Sequence, residues 1–336
     1  SLHRISQATD DFVAALPLAE NQGHSEHLRR VEAAICRRPA VLDELQSRNP
    51  GSYRWWRLRG TRAGTRYDWS ESARCLAVQY SWWGHCTSLA ALRCILNDHK
   101  GYETACSHAL RLAETQIVDR AERAYWGALV LALGPPEAER DVQLLQMAQN
   151  AYDTAPTNTR YQFILGLARY RAGEFDEALE LLQKSVAKST GATEVTATRW
   201  AVLAMACFRL GREDEARRWL ERCEIWERVN ERQIELAALG DSFAGRGLGD
   251  RNWMIAQALL REARSVTLGP ESLAAQDQRR VTWLAELQKV QDREEEKVVA
   301  DCSDAIALDP DNAELYVTRG SIYVNQQRWD QALADF

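Results

Sequence analysis

One spacing recurs three times along the chain: a proline is followed ten residues later by a glycine. Each pair lies within text rich in Ala, Leu, Glu and Arg, which is typical of helices. Self-similarity of this kind predicts a row of repeated units, each burying a face on the next, and argues against one large core. The three pairs are Pro50 and Gly60, Pro156 and Gly166, and Pro310 and Gly320.

A second spacing of twelve residues separates small residues, and it predicts where paired helices cross. Two antiparallel helices approach closely only where a side chain is absent, so we expect Gly166 to meet Ala178 at a crossing. Between them, Gly173 suits the left-handed backbone that ends a helix, and Phe175 fills the turn. The pattern therefore predicts antiparallel helix hairpins. The four pairs are Gly60 and Ser72, Gly166 and Ala178, Ala204 and Ala216, and Gly320 and Ala332.

Composition excludes several classes of protein. The chain lacks the alternation of Val, Ile and Thr that is typical of paired strands, so we expect an all-α fold without nucleotide-binding sheet loops. Its net charge is −6, from 42 basic and 48 acidic residues spread along the chain, which disfavours nucleic acid and anionic membranes as partners. No run reaches the length of about 18 apolar residues that a membrane span needs.

The cysteines and the chain ends indicate the setting of the protein. The eight cysteines form no Cys-x-x-Cys pair, and we interpret them as reduced core thiols of a soluble, cytoplasmic protein. The chain starts at Ser1 and stops inside a helical pattern at Phe336, so we expect a piece of a longer polypeptide.

The hairpin pattern resembles the tetratricopeptide repeat, a helix-turn-helix unit of about 34 residues. Residues 126–156 keep the spacing from alanine to proline that ends such a repeat. However, Gly134-Pro135-Pro136 stands in their turn, so the register of their first helix stays open. The other copies are residues 158–188, 200–223 and 309–336, then the weaker 55–78 and 89–112.

The resemblance implies an all-α solenoid of stacked antiparallel hairpins that wind into a right-handed superhelix. It also implies a noncatalytic module, without a metal or cofactor, that binds a protein or peptide in its concave groove. Residues 161–222 are similar to the C-terminal repeats of large bacterial multidomain proteins such as Ser/Thr kinases. We therefore expect a scaffold or regulatory part of a larger bacterial signalling or effector protein. The alternative is the sensor arm of a kinase or caspase-like effector whose catalytic domain lies outside this chain.

Eight residues on the first helices of the two best copies are predicted to bind the partner. They recur three and four residues apart, so each set lies on one helix face. Aromatic, Met and Arg side chains are typical of binding hot spots. The alternative, left open, is that some of them pack against an adjacent repeat. The eight residues are Arg160, Phe163, Leu167, Tyr170, Arg171, Met205, Phe208 and Arg209.

The chain is predicted to have four segments. Residues 1–49 form an N-terminal helical flank or cap, and residues 50–230 form the main array. Residues 231–269 hold a glycine-containing linker and a helix, and residues 270–336 form a second repeat segment with an incomplete C-terminal end. An uncapped final repeat should seek a neighbour, which includes self-association.

Three other patterns in the sequence are candidates for a binding site. The glycines between Gly240 and Gly249 could bind an anion, but the loop lacks the Lys-Ser/Thr of a P-loop and is better interpreted as a hinge or linker. Histidines and cysteines of residues 85–108 could bind zinc, but core thiols and surface histidines explain them better. Arginines and tryptophans between Arg54 and Arg66 resemble a groove for single-stranded nucleic acid, although the repeat itself needs those aromatics for packing.

Overall fold

The described part of the chain is helical and holds no strand, which confirms the predicted all-α class. Residues 63–282 form one compact unit, and residues 283–336 belong to a second. None of the described helices is long and apolar enough to cross a membrane. The computed structural model describes residues 44–45, 47–48, 59, 63, 69–76, 83–115, 119–187, 191, 193–238, 251–310, 312–326 and 328–335.

Stacked antiparallel hairpins build the first unit. The first helices of successive hairpins contact one another, and each second helix contacts the first helix of the next hairpin. We call the surface formed by the first helices, α2, α4, α6 and α8 below, the inner face. The helices are α1 (Trp69–Leu76), α2 (Trp83–Ile95), α3 (His99–Thr115), α4 (Arg120–Ala132), α5 (Ala138–Thr154), α6 (Thr159–Arg171), α7 (Phe175–Ala187), α8 (Glu194–Arg209) and α9 (Glu213–Ala238).

The predicted close packing at the helix crossing and the predicted left-handed glycine in the turn are confirmed in the α6–α7 hairpin. A Cβ added to Gly166 would lie 2.9 Å from Leu182 Cγ and 3.3 Å from the Ala178 carbonyl oxygen, so the two helices meet where Gly166 has no side chain. Gly173 after α6 and Gly211 after α8 have φ angles of +82° and +73°, in the left-handed region that favours glycine.

The hairpin with the open register, α4–α5, has its own crossing residue. A Cβ added to Gly127 would overlap the Cε atom of Met147 on α5. Its proline-containing turn also lies against α3, because Gly134 packs on the ring of Tyr102. The Tyr102 hydroxyl donates to the carbonyl oxygens of Val130 and Leu131 at 3.0 and 2.7 Å and satisfies the end of α4.

Two more helices follow the hairpins: α10 (Arg251–Leu268) and α11 (Glu271–Leu308). The helix predicted within residues 231–269 is α10. Gly269, between them, has a φ of +86°. Helix α10 contacts α2, α8 and α9, so it reaches the first and the last of the inner helices described above.

The second unit repeats the hairpin on a small scale. Helices α12 (Ala313–Asn325) and α13 (Trp329–Asp335) pack together, as predicted for the last repeat. The Arg319 Nε atom donates to Asp335 Oδ2 at 2.9 Å and ties α12 to α13. The buried core of this hairpin and α11 is Val299, Tyr323 and Ala332.

Several predicted segments lie wholly or largely outside the described residues. These are the N-terminal flank, the stretch between Arg54 and Arg66, and the loop between Gly240 and Gly249. The four segment boundaries and the superhelix handedness stay predictions.

Candidate functional site

The eight residues predicted to bind a partner differ in exposure. Arg209 is exposed, and Arg160 and Phe208 are half-buried. The others are at most 6% exposed. In this conformation these five side chains pack inside the protein, which is the alternative that the sequence left open. The buried five are Phe163, Leu167, Tyr170, Arg171 and Met205.

Helix α10 lies against the inner face as a largely buried helix. Trp253 is fully buried, and its ring centre lies 5.2 Å from that of Trp226 on α9. Leu259, Leu260 and Met254 are also buried in the same core as the inner helices. Apolar burial on several sides is typical of a helix enclosed by other helices.

A buried ion pair joins α6 to α10. Arg171 Nη2 donates to Glu262 Oε2 at 2.7 Å, and Nη1 donates to the other carboxylate oxygen. Arg171 Nε donates to the Ala132 carbonyl oxygen at 2.9 Å, at the end of α4. Burial by itself would lower the pKa of the Arg171 guanidinium, but the Glu262 carboxylate outweighs burial and raises it. One predicted binding residue is therefore already engaged by an acidic residue of this chain.

A second buried cluster joins α9, α10 and α11. Glu227 on α9 accepts from Arg264 Nη2 of α10 at 2.7 Å, from Gln276 Nε2 at 3.2 Å, and from Arg280 Nη2, the last two being on α11. Arg280 also donates to Gln257 Oε1 at 2.6 Å. Burial raises the pKa of Glu227, but Arg280 and Arg264 outweigh it, and the net shift is downward. The cluster holds α10 in place with charge-assisted hydrogen bonds.

Arginines and aromatic rings lie together near the start of α10. The Arg251 guanidinium lies 4.4 Å from the centre of the Trp126 ring, and that of Arg160 lies 4.3 Å from the Tyr125 ring. Glu122 accepts from Arg160 Nη1 at 3.1 Å and from Trp126 Nε1 at 3.0 Å. These stacks suit cation–π attraction and give the inner face a polar, aromatic edge.

The cleft beside these rings is too small for a metabolite. Its cavity volume is about 40 Å³, whereas small-molecule sites enclose roughly 300–1,000 Å³. This cleft can therefore hold a protein side chain but not a whole small-molecule ligand. Its lining residues are Tyr125, Trp126, Leu129, Arg160, Phe163, Val195, Thr198, Arg199, Asn252 and Ile255.

The candidate zinc ligands lie in the α2–α3 hairpin as core thiols. Burial raises the pKa of the Cys86 and Cys94 thiols to about 12 and that of Cys106 to about 11. Such thiols stay protonated at neutral pH, whereas a metal ligand or nucleophile must be a thiolate. Among the described residues, no group of three or more His, Cys, Asp or Glu could hold a metal ion.

The two carboxylates of these buried clusters, Glu262 and Glu227, were missed from the sequence. Glu262 lies on a helix that was predicted but assigned to a linker segment, and Glu227 was not singled out. One signal could have found α10: residues 253–260 are apolar at every position except Gln257. A run that is apolar on all sides predicts a helix enclosed by others.

Comparison with known proteins supports the repeat. Residues 157–224, which cover α6 to the first part of α9, match the family model of the tetratricopeptide repeat. No curated protein sequence matches the chain.

Several solved structures are similar to this one. The hetero-tetramer of Cut9 and Hcn1 from APC/C matches with 15% identity and a TM-score of 0.43, over 83% of this chain and 52% of that one. This chain therefore spans about half of the Cut9–Hcn1 chain that it matches. A monomeric IFIT1 mutant with m7Gppp-AAAA matches with 11% identity and a TM-score of 0.35, over 96% and 87% of the two chains. The TPR domain of P58(IPK) matches with 11% identity and a TM-score of 0.25, over 98% and 91%.

Proposed function

We propose that this chain is a noncatalytic helical-repeat scaffold that binds a protein or peptide partner at its inner face. The observation that carries the proposal is the row of hairpins, of which residues 157–224 match the tetratricopeptide repeat. The first helices of such an array present their side chains as one extended surface, which suits a chain-like ligand. The residues proposed to bind are Arg160, Phe163, Leu167, Tyr170, Arg171, Met205, Phe208 and Arg209.

The exposed members of this set support a protein partner. Arg209 and the half-buried Phe208 end α8, and Arg160 at the start of α6 stacks on Tyr125. Arginine and aromatic side chains are the residues most enriched in binding hot spots.

Exposed variants test the proposal without disturbing the core. We expect chemical cross-linking and affinity capture with the full chain to recover a partner, and Arg209→Ala and Phe208→Ala to weaken its binding about tenfold or more. Arg217→Ala is the matched control, because Arg217 is 71% exposed on the outer helix α9. Equal binding of the purified partner by wild type and all three variants would show that the inner face is not the site.

The proposal includes a place in a larger protein. We propose that the chain is the scaffold or regulatory part of a larger bacterial, cytoplasmic signalling or effector protein, which is what the resemblance suggested for residues 161–222 implies. The alternative is the sensor arm of an enzyme whose catalytic domain lies elsewhere in that protein. Reading the codons before Ser1 and after Phe336 tests both ideas, because a reading frame without a further domain contradicts them.

A further inference from the structure

Helix α10 follows the last hairpin of the row and lies against the inner face. It contacts α2 and α8, the first and the last of the described inner helices, and it is enclosed along residues 253–260. Twelve residues separate Ala238 from Arg251, whereas only four separate α5 from α6 and six separate α7 from α8, where one hairpin is likewise followed by the next. A repeat would place its next first helix after a short turn. Helix α10 therefore lies where a partner's helix would bind to the array.

The contacts of α10 have the composition of a ligand interface. The ring of Trp253, near the start of α10, packs on Trp226 of α9, and two carboxylate–arginine pairs lie in the C-terminal half of α10. Glu262 pairs with Arg171 of α6, and Arg264 pairs with Glu227 of α9. A buried aromatic anchor beside a bidentate charge pair, here Arg171–Glu262, is typical of a binding hot spot.

We infer that α10 is a built-in helical ligand of the inner face. The inner face, together with α9, then recognises a helix that carries a tryptophan near its start, an apolar run, and a carboxylate nine residues after the tryptophan that pairs with Arg171. In this chain α10 supplies that pattern through Trp253 and Glu262. A partner carrying the same pattern binds by displacing α10. This inference rests on the proposed function, because it names the kind of partner that the same face takes.

Docked α10 engages Arg171, which is one of the five buried residues among the eight predicted to bind. While α10 is docked, the partner must compete with an intramolecular helix whose effective concentration is high. A partner therefore binds weakly unless α10 is loosened. The docked arrangement is an autoinhibited state of the binding face.

A charge reversal across the Arg171–Glu262 pair tests the inference with the full chain. The probe is a fluorescent peptide with the sequence of Arg251–Leu268. Glu262→Arg places two cations together, so α10 should loosen and the probe should bind about tenfold tighter than to wild type, or more. The double variant Arg171→Glu/Glu262→Arg restores an ion pair and is the matched control. It should return binding of the probe to the weak wild-type level.

A second probe separates specific recognition from loss of structure. The peptide carrying Glu262→Arg should bind the Arg171→Glu chain about tenfold more tightly than the unaltered peptide does, or more, because only it pairs with the reversed charge. Equal, weak binding of both peptides by all four folded chains would overturn the inference and make α10 a fixed part of the core.

Hydrogen exchange of the wild-type chain keeps the inference testable if the variants do not fold. A displaceable α10 should open without the array, so its amides should exchange about tenfold faster, or more, than those of α6 and α8. Equal protection of the three helices would contradict it. If a partner is captured and Arg209→Ala weakens its binding, the proposed function is upheld even when hydrogen exchange contradicts the inference. Failure of the inference and failure of the proposed function are therefore distinguishable.

Discussion

Glu227 shows how a single buried carboxylate holds three helices. It is 6% exposed and accepts hydrogen bonds from Arg264 and Arg280. Breaking a buried pair by removing one partner is strongly destabilising, because the remaining charge keeps its desolvation cost. The residue therefore controls the stability of the α9–α10–α11 junction more than any exposed pair does.

The pH dependence of stability follows from the lowered pKa of Glu227. A carboxylate whose pKa is lower in the folded state stabilises the fold above its unfolded pKa, and the contribution is lost as pH falls through the folded pKa. Glu227→Gln should cost about 3 kcal/mol at pH 7 and flatten the loss of stability below about pH 4.5. Urea unfolding from pH 7 to pH 3 measures both. Glu180→Gln, in an exposed pair with Lys184, is the control and should change neither.

Gly166 is the residue that sets the distance between α6 and α7. Gly166→Ala gains helix propensity but forces its Cβ against Leu182 and the Ala178 carbonyl, so we expect a net loss of about 1–2 kcal/mol. Thermal and urea denaturation measure the change. Ala187→Ser, which adds one atom at an exposed position of α7, should have almost no effect. A more stable Gly166→Ala variant would show that the two helices can separate at no cost.

At the scale of elements, Tyr102 joins two hairpins. Its hydroxyl donates to two carbonyl oxygens at the end of α4, of which that of Val130 also accepts from Leu133 N at 3.4 Å. Tyr102→Phe removes this donor from both buried carbonyls and should cost about 1–2 kcal/mol. Tyr152→Phe removes a hydroxyl from a half-buried tyrosine of α5 and is the matched control. Equal urea midpoints for both variants would contradict the assigned role.

Helix α10 is the element whose placement most changes the interpretation of the inner face. Its residues form a helix for local reasons, since Gly269 and Pro270 end it and helix formers dominate its length. Its position depends on contacts with α2, α8 and α9, which are distant in sequence. The helix that the sequence analysis assigned to a linker segment therefore packs against the inner face and pairs with Arg171.

At the scale of the whole molecule, we propose that the α12–α13 hairpin takes part in self-association. Leu333 on α13 and Val317 on α12 are 56% and 43% exposed. Exposed apolar side chains on the outer face of a repeat favour packing against a neighbour. We expect a concentration-dependent dimer in sedimentation or light scattering, which Leu333→Glu should weaken. Val142→Glu, at a 71% exposed position of α5, is the control, and a monomer at all concentrations would refute the prediction.

The sequence by itself determined the repeated hairpins, because their signals are local. Glycine at a crossing, glycine in a left-handed turn and proline after a helix end each act within about 12 residues, and Gly166 and Gly173 lie where they were predicted. Only the tertiary structure decided what the inner face contacts. Arg171 and Glu262 are 91 residues apart in sequence, and no spacing predicts their pairing. That pairing depends on how the stacked hairpins bring α6 and α10 together, and it engages one of the eight predicted residues within the chain.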